Sequence, residues 1–376
     1  MGMAEDYKTR GGLIASMLDV NLKQYLFLRN LAPPVIDRFG THGRAVLEAG
    51  LHKLGRWRGQ NMRQRAETMI DGRSALSLVR HWDAGDYAVA ALSGPVSFEG
   101  SAARMTVTMP QLPGMDYFAG KSGAELLEPY WRNVLQGIVE GYDDGLSVEF
   151  SELKLQQGAP WSITWSCEGS TAGGATPYPE GPPDQVFDTP VPALRLIRQS
   201  AKNNGALYMF IAREVVQNFD TAGEEAIREG CRALGRERAL AHLENHRAKG
   251  LPLDLRTLMN NWDGPLVSIW IGRDQGYLSP GTYHWDCTYC PYADVWAEYG
   301  PEGLALGYLY DMEVHLAIFR TYNPRAVVQW EALKTRGDSQ CKFRFSFPDL
   351  VEPGDPTFQP RGGRENQPGL PSVPAT

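Results

Sequence analysis

Gly43-Arg-Ala-Val46-Leu47-Glu-Ala-Gly50-Leu51-His-Lys-Leu54-Gly55-Arg56-Trp-Arg58 returns 180 positions later as Gly223-Glu-Glu-Ala-Ile-Arg-Glu-Gly230-Cys-Arg-Ala-Leu234-Gly235-Arg236-Glu-Arg238. Both copies space apolar residues along one helical face, with charged residues opposite. Working outward, Ala32, Val35, Phe39 and Thr41 recur as Ala212, Val215, Phe219 and Thr221. Leu78, Trp82 and Asp83 recur as Leu258, Trp262 and Asp263, and Tyr130, Val134, Ile138 and Tyr142 as Tyr310, Val314, Ile318 and Tyr322. The match runs without a gap from about residue 32 to residue 166, which reads as a duplicated module. Positions kept in both copies belong to the framework. Chemistry is to be sought where the copies differ.

A chain of 376 residues has room for two such modules. Its composition, 43% hydrophobic and 22% charged, is that of a globular protein. A net charge of −7 without a Lys/Arg-rich run argues against a nucleic-acid partner. The absence of a long apolar stretch or a basic-then-apolar leader argues against a membrane and for the cytoplasm. Five cysteines, an odd number, favour free thiols or a metal over a disulfide framework. The expected partner is a small-molecule substrate, with a homodimer left open.

Residues 12–30 have helical periodicity, Pro33 and Pro34 interrupt it, and helix resumes to Phe39. Residues 43–66 and 223–248 are amphipathic helices. The spacing predicts strands at 87–92, 104–109 and 266–271, helices at 121–141 and 301–321, and closing strands at 146–155, 161–166, 326–334 and 341–347. Gly, Pro and Ser crowd 167–190, a linker, and the chain after 350, a tail. The organisation expected is a degenerate module over 1–166, a linker over 167–190, a second module over 191–350 and a flexible tail over 351–376. The fold class is α+β, as two tandem repeats of a helical segment plus an antiparallel sheet. Arg56, Arg58, Arg236 and Arg238 are expected on solvated helix faces. Trp82-Asp83 and Trp262-Asp263, kept in both copies, read as structural.

The copies part at His284-Trp-Asp-Cys287-Thr-Tyr-Cys290-Pro291-Tyr292. At the 180-residue register the first copy has Arg104, Val107 and Pro110 for His284, Cys287 and Cys290. It has Trp131, Leu135 and Trp161 for Asp311, His315 and Cys341. One working module beside a degenerate one is the economical reading. Cys290-Pro291 suits a helix start, where backbone N–H groups and the helix dipole favour a thiolate nucleophile. The C-x-x-C spacing also admits zinc, with His284 and Cys341 completing a Cys3His set, or a redox dithiol, or small buried residues without chemistry. Asp311 and His315 lie one turn apart on a helix and can act as a pair. Cys341, Phe343, Phe345 and Phe347 alternate onto one face of a strand. The candidate catalytic residues are Cys290, Asp311, His284 and His315, and the candidate substrate contacts are Cys287, Tyr292, Cys341 and Tyr310. No cofactor is required, zinc being the alternative. No G-x-G-x-x-G, G-x-S-x-G or H-E-x-x-H occurs.

Cys290-Pro-Tyr-Ala-Asp, the helix bearing Asp311, and Gly337-Asp-x-x-Cys341-x-Phe-x-Phe follow one another in an order that resembles the L-2-amino-thiazoline-4-carboxylic acid hydrolase family. The resemblance covers about 223–347. It is wider but weaker to 4-vinyl-reductase-type ligand-binding domains, which share the late Cys-bearing strand. The first copy shares it only through the repeat. The resemblance implies hydrolytic opening of a cyclic amidine-like thiazoline to an N-carbamoyl cysteine, by attack at the ring carbon. Cys290 would be nucleophile, Asp311 with His284 or His315 would move protons, and Cys341 would line the pocket. The tandem architecture departs from the family pattern and leaves room for a different, larger substrate. The other class of function is a non-hydrolytic small-molecule binder or cyclase, its thiols holding zinc or lining an apolar cavity.

Overall fold

The apolar spacing around Gly43–Arg58 is realised in α1, a helix running over Arg10–Thr68. A computed structural model describes residues 9–69, 72–152, 155–167, 183–263 and 276–356. After α1 come α2 (Ala75–Arg80), α3 (Asp86–Ser93), β1 (Ser97–Gly100), β2 (Arg104–Met109), α4 (Met115–Phe118), α5 (Leu127–Tyr142), β3 (Leu146–Phe150) and β4 (Trp161–Cys167). The second half repeats the series with α6 (Pro190–Ala248), α7 (Leu255–Asn260), β5 (Tyr277–Leu278), β6 (Thr282–Cys287), α8 (Pro291–Ala297), α9 (Gly300–Tyr322), β7 (Val327–Ala332) and β8 (Cys341–Ser346). The strands form two antiparallel sheets of the same order, β1-β2-β4-β3 and β5-β6-β8-β7. The class is α+β, as the pattern predicts. Among the described residues no helix is long and apolar enough to cross a membrane.

By contacts the described chain divides into two units. One contains residues 9–29 and 39–214 and so the first sheet; the other contains 30–38 and 215–356 and the second sheet. The helix arm 190–214 therefore goes with the first sheet, not with the second as the boundary at 191 implies. In the first unit it is held by side chains, with Asn203 donating to the Asp83 carbonyl and Asn204 to that of Val20.

Several expectations change. Pro33 and Pro34 do not interrupt α1, which stays helical through them. The break comes at Gly40 (φ 58°), and α6 breaks at the repeat-related Asp220 (φ 48°). Residues 87–92 are helix, not strand. Alanines favour the helix, and the buried carboxylate of Asp86 opens α3 while accepting from Trp82 Nε1 at 3.2 Å. The strand expected at 266–271 lies outside the described residues. Within the expected linker, Pro183–Asp188 form a 3-10 turn that buries Phe187 completely. At the head of the tail, Asp355 accepts from the Tyr277 and Ser279 hydroxyls at 2.6 and 2.7 Å.

Arg58 and Arg238 are not on solvated faces. Each is buried, pairs with the aspartate of its own Trp-Asp motif at 2.7 Å, and lies over the indole beside it. The recurrence of these residues thus marks a buried ion-pair and cation–π unit in each half.

Gly55 and Gly235 explain another recurrence. Gly235 faces α9 so closely that a methyl group there would lie 2.5 Å from the Val314 carbonyl and 2.6 Å from the Ala317 methyl. Gly55 meets Val134 of α5 in the same way. The close crossing fixes α9, which carries Asp311 and His315, against α6.

The repeat has a slip that the gapless match hides. Cys287 pairs with Cys341, and Met109 pairs with Trp161. Cys341 is 180 residues beyond Trp161, but Cys287 is 178 beyond Met109. The structural counterpart of His284 is therefore Thr106 rather than Arg104, and that of Cys287 is Met109 rather than Val107. A ladder tolerates a two-residue change in its loops because the side-chain period is two and the faces are preserved.

Candidate functional site

β6 presents Tyr283, Trp285 and Cys287 to one face of the second sheet, and β8 presents Cys341, Phe343 and Phe345 to the same face. α9 covers that face. Phe319 packs on Phe345 with ring centroids 4.3 Å apart, and His315 lies 5.8 Å from Phe343. Asp311, one turn before His315, is thereby brought beside the Cys287–Cys341 pair. Cys290 follows β6 by three residues and caps α8, its sulfur accepting from the Ala293 N–H at 3.5 Å with Pro291 in the first turn. This is the helix-start geometry that the sequence predicts.

Asp311 is largely enclosed, its side chain 13% exposed, and among the described residues no Lys or Arg is paired to it. Burial pushes its carboxyl up to about 7, against the pull of the Thr335 hydroxyl, which donates to Oδ2 at 2.8 Å. His315 is pushed down to about 4, chiefly by burial. Its Nδ1 meets the backbone oxygen of Asp311 at 2.9 Å. A carbonyl only accepts, so Nδ1 carries the hydrogen and Nε2 keeps a free lone pair. The Asp311 carboxyl oxygen stands 3.9 Å from the same Nδ1, whose hydrogen is already used. The two residues meet, as expected, but as a neutral imidazole beside a carboxyl near neutrality and not as an ion pair.

Burial raises both Cys287 and Cys341 above an ordinary thiol. The charge of Cys290 adds to each, and that of Asp311 adds to each. Cys287 donates to the Tyr289 carbonyl at 2.9 Å, and Cys341 accepts from the Lys334 N–H at 3.4 Å. All five cysteines are free. Tyr292 and Tyr310 are almost fully buried and pack with Trp296 at 5.8 and 5.5 Å. They join α8 to α9.

His284 is not in the site. It lies one residue out of phase with Cys287 and so points to the other face of the sheet, opposite Arg344 and near Glu331 and Asp286. A Cys3His zinc set is therefore not assembled. Among the described residues no three of His, Cys, Asp and Glu are arranged to hold a metal ion.

Thr335 escapes the sequence reading. The available signal was Gly337-Asp338, a turn pair three residues before Cys341, together with Leu155 in the matching place of the first copy, where no hydroxyl is needed.

In the first sheet the equivalent layer is filled. Trp131 and Trp161, standing where the second half has Asp311 and Cys341, are both 1% exposed, and their rings pack together. Trp131 donates to the Pro113 carbonyl at 3.2 Å.

Residues 200–345 match the family model described as L-2-amino-thiazoline-4-carboxylic acid hydrolase, as the motif residues imply. The match holds every candidate residue and the whole of α9. The matched segment lies in the second half of the chain. No curated protein and no solved structure matches the chain significantly.

Proposed function

We propose that the chain is a small-molecule hydrolase working from its second half, and that it attacks the electrophilic carbon of a cyclic amidine of the thiazoline type. The supporting observation is a carboxyl near neutrality, Asp311, beside a neutral His315 and the thiols of Cys287 and Cys341, with the helix-capping Cys290 at the same end of the sheet. Among the described residues nothing cationic holds Asp311 ionised, so below neutrality it keeps a proton to give. The Cys290 thiol gives its proton to His315 Nε2 and its sulfur adds to the amidine carbon while Asp311 protonates the ring nitrogen. The ring carbon–sulfur bond then breaks, and the ring sulfur leaves as a thiol with the proton that His315 had taken. Water adds to the enzyme-bound carbon, one of its protons passing to His315 Nε2. The Cys290 sulfur is then expelled and takes that proton, and the carbon-bound hydroxyl returns the other to Asp311 as the carbonyl forms, giving a carbamoyl product and free enzyme. Cys287 and Cys341 line the pocket floor. The two halves are copies of one module, the first having lost its site to the two tryptophans.

The experiment is direct. Purified protein is incubated with 2-amino-thiazoline-4-carboxylic acid and with bulkier 2-aminothiazolines. Thiol release is followed colorimetrically and the carbamoyl product by mass spectrometry. Turnover that disappears in C290S supports the reading. Tight binding of these compounds without turnover would replace it with the binder.

A further inference from the structure

We infer that Thr335 is the positioning residue that holds the Asp311 carboxyl in its working protonation state, and that the turn Leu333–Asp338 serves to deliver it.

The turn is over-determined. Asp338 Oδ2 accepts from the Leu333 N–H at 2.7 Å, the Asp338 N–H donates back to the Leu333 carbonyl at 3.1 Å, and Gly337 takes φ 90°, where a side chain would be strained. Between these anchors the turn gives up two donors to the site. The Thr335 hydroxyl goes to Asp311 Oδ2, and the Lys334 N–H goes to the Cys341 sulfur. Thr335 itself is 5% exposed, so its hydroxyl has no water to return to.

The groups that face Asp311 are Cys287 from β6, Cys341 from β8, Tyr308, Tyr310 and His315 from its own helix, and Thr335 from the turn. None of these is a cation at neutral pH. The Lys334 ammonium is engaged elsewhere, donating to the Thr288 carbonyl at 3.3 Å and standing 3.7 Å from Asp294. Burial therefore drives the carboxyl towards its neutral form, and the Thr335 hydroxyl is the group that supports the anion. Without it the acid would hold its proton too tightly to give it to a ring nitrogen. The first half lacks the pair altogether, with Leu155 and Trp131 in place of Thr335 and Asp311. Its functional meaning rests on Asp311 being the acid; its structural meaning rests on the hydrogen bond.

The test uses the full chain with 13C-labelled aspartate carboxyls, the Asp311 signal being assigned by its loss in D311N. The carboxyl is titrated in wild type, T335V and T335S. Valine keeps the shape and removes the donor; serine keeps the donor. The expected result is a midpoint raised by at least about 0.5 pH unit in T335V and restored to within about 0.2 unit in T335S. An unchanged midpoint in T335V, or an equal shift in T335S, overturns the inference. The alkaline limb of kcat/KM is measured on the same proteins. If the carboxyl shifts and the limb does not, Thr335 still sets Asp311 and the role of Asp311 as catalytic acid falls.

Discussion

Trp131 and Trp161 pack with ring centroids 5.4 Å apart where the other half of the chain sets Asp311 beside Cys341. The same helix-on-sheet layer is solid in one copy and chemically equipped in the other. The tryptophans are thus core residues of the first unit. Trp161→Ala should cost about 3–5 kcal/mol of that unit's stability, while kcat per folded molecule stays at the wild-type value. Denaturant unfolding with an active-site titration checks both. A loss of kcat in the folded variant would show that the first half contributes to the reaction.

Arg58 with Asp83 is a buried pair, and Arg238 with the half-buried Asp263 stands at the corresponding place. Removing one partner strands a buried charge. Arg58→Met should cost about 3–5 kcal/mol. The double variant R58M/D83L should recover much of that loss, since neither charge is then left without a partner. A double-mutant cycle on each half measures this, and simple additivity would contradict it.

Asp220 is the described non-glycine residue at positive φ, with φ 48° and ψ −133° inside α6. Its repeat partner is Gly40, which adopts the same geometry without strain. Asp220→Gly should raise stability by about 1 kcal/mol. An unchanged or lower melting temperature would mean that the kink is held by something other than backbone preference.

Asp311 should leave two signatures. As an acid pushed up to about 7, it gives kcat/KM that is flat in mild acid and falls as pH rises through neutrality. Asp311→Asn and Cys290→Ser should each lower turnover at least about tenfold, or roughly 1.4 kcal/mol in the barrier. The second signature is in stability. The folded carboxyl binds its proton more tightly than the unfolded one, so its contribution is full below the unfolded value of about 3.9 and is lost as pH rises through about 7. Asp311→Asn should therefore stabilise the protein more at pH 8 than at pH 5. Equal melting-temperature changes at the two pH values would place the carboxyl in solvent.

The thiols should differ in reach. Cys231, Cys287 and Cys341 are buried, whereas Cys290 is partly exposed at a helix start. Iodoacetamide near neutral pH should label Cys290 before those three, and adding a chelator should change nothing. Peptide mapping reads the order. Protection of Cys287 and Cys290 that a chelator relieves would restore the zinc reading.

The sequence by itself determined a good deal. The recurrence of Leu54-Gly55 as Leu234-Gly235 marked both places as framework, and the structure supplies the reason, since only glycine admits so close an approach of another backbone. The alternation at 341–347 put Cys341, Phe343 and Phe345 on one face, because a strand has period two. Cys290-Pro291 foretold a helix start, because proline suits the first turn and the sulfur can accept from an N–H three residues further on. These readings rest on local chemistry, which a sequence carries in full.

Tertiary structure decided the rest. The one-residue phase between His284 and Cys287 sends the histidine through the sheet and away from the site, and only strand pairing fixes that phase. The two-residue slip between β2 and β6 was invisible to a gapless match, because loops absorb it and the conserved helices on either side return to register. Arg58 and Arg238 looked solvated in a helical projection, and only the packing of Trp82-Asp83 and Trp262-Asp263 over them makes them core. Thr335 gave almost no local sign, since its meaning is a hydrogen bond to a carboxyl 24 residues earlier, and that partner exists only once the turn and α9 are folded against each other.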